Sequence, residues 1–130
     1  MKKLLSLIAA LAVVPLLAVA DDAFPNISTD DLKAAIAAKQ VVLLDVNGSE
    51  SYTEAHIPGA VNYEAAEKDL AKVLPADKSA LVVAYCGNDR CTAYKAGAQA
   101  AKKLGYTNVK YYSKGIAGWK KAGEPTSKAN

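Results

Sequence analysis

The chain has 130 residues, 52% hydrophobic and 22% charged, with 16 Lys+Arg against 13 Asp+Glu, a single His and a formal charge of +3. That length and balance describe one small domain with a packed core and exclude a disordered or fibrous chain. Two cysteines are too few for a disulfide-built scaffold, and with one His they leave no set for a structural zinc, so no metal site is expected.

In chain order, Met1-Lys2-Lys3 supplies a positive start, Leu4 to Leu17 is apolar except for Ser6, and Ala18-Val19-Ala20 has the small residues a signal peptidase reads. The expectation is a signal peptide at residues 1–20, cleaved after Ala20, because the apolar run is shorter than the ~20 residues that span a bilayer. The product, residues 21–130, is expected to be exported to a bacterial periplasm or secreted, without stable membrane association after cleavage. Without Lys2 and Lys3 there remain 14 basic and 13 acidic residues, with the lysines dispersed. Neither nucleic acid nor an anionic membrane is implied as a partner.

Ser28-Thr29-Asp30-Asp31 predicts a helix start near Thr29, with Leu32, Ala35 and Ile36 at helical spacing up to Lys39-Gln40. Val41 to Leu44, ending in Asp45, is a continuous apolar run of the kind buried on both faces of a parallel sheet. Val61-Asn62 reads as a short strand and Glu64 to Leu74 as a helix stopped by Pro75. Ala80 to Tyr85 repeats the strand pattern and ends at Cys86. Thr92 to Leu104 predicts a helix with a narrow face of Ala93, Ala96, Gly97, Ala100, Ala101 and Leu104, capped by Gly105, and Val109 to Tyr112 a further strand. Strands alternating with helices predict an α/β layered domain with right-handed crossovers.

Both cysteines and the sole arginine fall within Cys86-Gly87-Asn88-Asp89-Arg90-Cys91, between a buried strand and the helix expected at Thr92, whose hydroxyl suits an N-cap. In open α/β sheets ligands bind beyond the carboxyl ends of the strands, and here a thiol occupies that place. Inward amides of such a loop and the helix N-terminus favour an anion, so Cys86 is expected to be a thiolate nucleophile near neutral pH. Cys91, with four residues between it and Cys86, is a candidate resolving thiol that exchanges a persulfide or mixed disulfide for an internal bridge. Geometry decides whether that bridge forms: if the loop curls around Cys86 with its amides inward, Cys91 turns away and the bridge needs a rearrangement; otherwise the two sulfurs can meet.

Taken together, Leu44-Asp45-Val46, Tyr52 with His56-Ile57-Pro58-Gly59-Ala60, Val83-Ala84-Tyr85-Cys86 with its loop, Leu104-Gly105-Tyr106 and Gly115-Ile116-Ala117-Gly118-Trp119 resemble the rhodanese-like domains, single-domain sulfurtransferases. The resemblance runs from about Ile27 to Pro125, the expected core of the domain. It implies a mainly parallel five-stranded sheet flanked by helices on both faces, with Cys86 catalytic, taking up a sulfane sulfur as a persulfide. Gly87, Asn88, Asp89, Arg90, Cys91 and Thr92 then form the substrate-binding loop whose amides cradle that sulfur. No cofactor is implied. The implied partners are a small anionic sulfur donor such as thiosulfate and a thiol or cyanide-like acceptor, including a protein thiol.

Asn47 stands where many members have arginine, and Asp89 and Cys91 where the loop commonly has glycine and arginine. Asp89 opposes a dianionic donor, so poor thiosulfate turnover is expected. Related phosphatases of this fold follow the cysteine after five residues with an arginine, in a loop one residue longer, and no arginine follows Arg90 in this chain, so phosphatase activity is not expected. Asp45, Lys114 and Trp119 are candidates for the surroundings of the site, Asp45 chiefly as a cap and Trp119 chiefly as packing. His56, before a Pro-Gly turn, is expected to hold that turn. Two other readings stay open: a thiol–disulfide redox protein using Cys86 and Cys91, and a non-catalytic persulfide carrier or binding module.

Overall fold

The computed structural model describes residues 23–130; the expected signal peptide, residues 1–20, lies outside the described residues. Helix α1 (Thr29–Ala37) begins as its sequence requires, with the Ser28 hydroxyl accepting the Asp31 N–H at 3.1 Å, Asp30 and Asp31 in the first turn and Leu32 fully buried. Strands β1 (Val41–Asp45), β2 (Val61–Asn62), β3 (Leu81–Tyr85) and β4 (Asn108–Tyr112) form one parallel sheet in the order β2-β1-β3-β4. The register sets Asp45 opposite Tyr85, and Tyr85 opposite Tyr112, so three strands end at one level.

The sheet has four strands among the described residues, where five were expected. The fifth place is taken by a single parallel bridge, Asn26 with Tyr111. Ile27 N–H donates to Tyr111 O and Tyr111 N–H to Pro25 O, and the ladder goes no further because Pro25 has no N–H to offer.

Alternation along each strand loads both faces. Leu44, Val82, Ala84 and Val109 pack with Tyr63, Leu70, Leu74, Ala98, Ala101 and Tyr106 on one side. Leu43, Val83, Tyr85 and Tyr112 pack with Ile27, Leu32, Ile57, Ala60 and Trp119 on the other.

Helix α2 (Ser49–Glu54) was not legible from periodicity, since it buries no residue fully; the Glu64 carboxylate accepts its Ser49 N–H at 2.5 Å. The single helix expected over Glu64–Leu74 is instead α3 (Tyr63–Ala66), a 3-10 turn (Glu67–Asp69) and α4 (Leu70–Val73). Asp69 leaves helical backbone values (φ −125°, ψ 26°), and so short a run follows its buried anchors Tyr63, Leu70 and Leu74 more than its own ladder.

Helix α5 spans Tyr94–Lys103, starting two residues later than expected, with Ala93 at the N-cap and no side-chain cap; Thr92 does not cap it. Its buried stripe is Gly97, Ala98 and Ala101, whereas Ala93 and Ala96 are exposed. The stripe is rotated because Tyr94 stacks on Tyr111, with ring centroids 4.3 Å apart, and Gly97 lies where a Cβ would come 3.1 Å from Val46. Gly105, at φ +95°, ends the helix as expected, with Tyr106 N–H returning to Ala101 O.

Helix α6 (Gly115–Lys121) follows β4. Ordered contacts run past the expected limit at Pro125: Ser127 and His56 exchange backbone hydrogen bonds, and Ala129 N–H donates to Thr53 O. Among the described residues no helix is long and apolar enough to cross a membrane.

Candidate active site

In the order β2-β1-β3-β4 the chain moves outward in opposite directions from β1 and β3, so the crevice of the sheet opens beyond the carboxyl ends of those two strands. Val46 and Asn47 follow one end, and Cys86 begins the loop at the other. Cys86 is 2% exposed, Gly87 and Cys91 are half-buried, and Asn88, Asp89, Arg90 and Thr92 are exposed.

Cys86 is not a free thiolate here. It is bonded to Cys91 with their Cα atoms 6.2 Å apart, well within the ordinary range for a disulfide. Of the two arrangements the sequence left open, Cys91 facing Cys86 is the one adopted. The reason is the Asn88 turn: Cys91 N–H donates to Asn88 O at 3.2 Å and Arg90 N–H to Asn88 Oδ1 at 3.0 Å, folding the loop back on its own start. Two of the amides assigned to the anion cradle, those of Arg90 and Cys91, are thus spent within the loop.

The other wall is α6. Ile116 N–H donates to Cys86 O and Ala117 N–H to Gly87 O, both at 2.9 Å, so the first turn of the helix is satisfied by the loop carbonyls. This approach depends on Gly115, at φ +59°, where a Cβ would stand 2.5 Å from Cys86 O, 2.7 Å from Gly87 C and 2.8 Å from Asn88 N. The sequence offered Gly115 only as part of a motif; its steric role was not visible there.

Asp45, fully buried, has one carboxylate oxygen accepting the Asn47 N–H at 2.9 Å and the other the Tyr85 hydroxyl at 2.6 Å. It joins the two strand ends and has no contact with the sulfurs among these bonds. Burial, and secondarily the Asp45 charge, push the Tyr85 phenol far above its ordinary pKa, so it stays a neutral donor. The Tyr85 oxygen also accepts the Ile57 N–H at 3.0 Å, which anchors the His56-Ile57-Pro58-Gly59 turn. His56 Nδ1 lies 2.7 Å from Tyr52 O and its ring stacks on Tyr52 at 3.8 Å, so it holds the turn. Trp119 is buried edge-on against Tyr112 and donates to Pro125 O at 2.7 Å. Both residues are framework.

Asn47 is more exposed to the site. Its Oδ1 lies 3.5 Å from where a Cβ on Gly87 would be, and its side-chain nitrogen is buried without a hydrogen-bond partner among the described residues. Outside the loop, Asn88 and Asp89 with Lys114, Ala117, Gly118, Lys121 and Ala122 line a cleft of about 490 Å³. Lys114, a candidate from its position, lines this cleft, and so does Lys121, which was not singled out although it lies two helical turns further on the same face. Neither cysteine lines that cleft.

The chain matches the family described as Rhodanese-like domain over residues 28–122. An HTH-type transcriptional regulator of Mycobacterium tuberculosis is 36% identical over 89 residues, 68% of this chain; the chain spans only 38% of that curated relative's length. Among solved structures, the rhodanese-like domain of an Anabaena protein is 25% identical with a TM-score of 0.63, over 81% of this chain and 80% of that one. The full-length Lactobacillus plantarum protein reaches a TM-score of 0.66 at 20% identity, over 80% and 88% of the two chains. A human single-domain sulfurtransferase reaches 0.60 at 23%, over 75% and 96%. These last two likenesses concern the fold.

Proposed function

Since this chain belongs to the rhodanese-like domain family, we propose that it is a sulfurtransferase with Cys86 as its nucleophile. The Cys86 thiolate, once reduced, attacks the sulfane sulfur of an anionic donor. A bond forms from Cys86 Sγ to that sulfur while the donor's S–S bond breaks, and sulfite or a thiolate leaves with the electron pair. A thiolate or cyanide-like acceptor then attacks the outer sulfur and Cys86 leaves as thiolate. The observation that carries this reading is the position of Cys86, at the carboxyl end of a central parallel strand under a loop tied to α6.

The Lys114 and Lys121 ammonium groups lining the cleft beside the loop support an anionic donor, and Asp89 opposes one of high charge. The disulfide favours a second role for the pair, thiol–disulfide exchange, with Cys86 silent until reduced. Residues 1–20 are proposed to export the chain to an oxidising compartment, where such a bridge persists. The test is direct: under reducing conditions Cys86→Ala abolishes sulfur transfer from an organic persulfide or thiosulfate to cyanide, whereas Cys91→Ala retains it. Transfer surviving in Cys86→Ala refutes the assignment, and loading on Cys86 without turnover makes the protein a carrier.

A further inference from the structure

We propose that Cys91 converts the Cys86 persulfide into hydrosulfide, making the protein a sulfide-releasing, thiol-consuming enzyme as well as a transferase. The proposal rests on Cys86 taking up sulfane sulfur. In this step the Cys91 thiolate attacks Cys86 Sγ, the inner sulfur of Cys86–S–SH. The Cys86–Cys91 bond forms, the bond to the outer sulfur breaks, and that sulfur departs with the electron pair and its proton as HS⁻. The outer sulfur goes from −1 to −2 and the Cys91 sulfur from −2 to −1, while the Cys86 sulfur stays at −1, so no outside oxidant is needed. Two monothiols, or one dithiol, then reduce the bridge and are themselves oxidised to a disulfide.

The geometry favours this step on three counts. The product bond already exists in the fold, with the Cα atoms 6.2 Å apart, so Cys91 reaches the inner sulfur without moving β3 or α5. The Asn88 turn that brings Cys91 round also consumes the Arg90 and Cys91 amides, leaving an outer sulfur fewer donors to hold it as a resting persulfide. Exposure is divided as well: Cys86 is 2% exposed, whereas Cys91 is half-buried. An outside thiol therefore meets Cys91 Sγ first, forming the mixed disulfide there and returning Cys86 as the free thiolate.

The experiment is a single turnover of the reduced, desalted full chain with excess thiosulfate and no added thiol, under anaerobic conditions, following sulfide with a selective electrode and the protein by intact mass. The wild type is expected to release one equivalent of sulfide and end about 2 Da lighter, as the bridge. Cys91→Ser is expected to end about 32 Da heavier, as the stable persulfide, and to release sulfide at least ~10-fold more slowly until a monothiol is added. A wild type that keeps the extra sulfur and frees no sulfide overturns the proposal while leaving persulfide formation intact. A Cys91→Ser chain that gains no mass, with a silent wild type, overturns persulfide formation itself and the proposal with it.

Discussion

The Tyr85 hydroxyl donates to the Asp45 carboxylate across 2.6 Å in a part of the core where both side chains are fully buried, and the same oxygen accepts the Ile57 N–H. One phenol thereby ties together the ends of β1 and β3 and the turn after α2, directly beneath Cys86. Tyr85→Phe leaves a buried carboxylate and a backbone N–H each one partner short, and is expected to cost about 3 kcal/mol of stability in urea unfolding. Because burial and the Asp45 charge raise the folded-state phenol pKa above 10.0, the unfolded chain ionises first in alkali. Stability therefore falls as pH rises past 10.0, and Tyr85→Phe shows a shallower alkaline slope.

Gly115→Ala places a methyl group within 2.5–2.8 Å of the backbone of Cys86, Gly87 and Asn88, at a positive φ. The loop or α6 must retreat, at a cost of more than about 2 kcal/mol. Sulfur loading of Cys86 is expected to fall at least ~10-fold, measured by stopped-time mass spectrometry, in a chain whose far-ultraviolet dichroism is unchanged.

Asp89 is exposed and lines the same cleft as Lys114. Removing an exposed like charge near a dianion is worth on the order of 0.5–1 kcal/mol after screening, so Asp89→Asn is expected to raise kcat/KM for thiosulfate about threefold. The gain shrinks with added salt. An equal gain with an uncharged donor would refute the electrostatic account.

Asn88→Ala removes the acceptor of the Arg90 N–H and loosens the turn that delivers Cys91. With about 1 kcal/mol less favouring the closed loop, the reduction potential of the Cys86–Cys91 pair is expected to rise by about 20 mV in redox titration.

Glu64 accepts the Ser49 N–H, and this hydrogen bond, together with one from the Ser49 side chain, holds its carboxyl below the ordinary value of 4.5. A depressed acid stabilises the fold above its unfolded pKa and loses that contribution as pH falls through the folded one. The wild type is therefore expected to exceed Glu64→Gln slightly in urea midpoint at pH 7 and to converge with it in acid, below 4.5.

Local rules made much of this protein readable from its residues. Buried strands appear as the continuous runs Val41–Leu44 and Leu81–Tyr85, α1 announces its start at Ser28, and Gly105 its neighbour's end, because hydrophobic run length and capping chemistry act over a few residues. The six-residue loop was legible too, from two cysteines and the only arginine at one strand end. Elements stabilised by distant partners were not: α2 leans on Glu64, the fifth strand reduces to a bridge at Asn26, and α5 is turned by Tyr94 meeting Tyr111. The state of Cys86 belongs with these. Spacing alone allowed Cys91 to face it or turn away, and the choice was made by the Asn88 turn packed under α6, where Gly115 lets two backbones approach closer than any side chain permits.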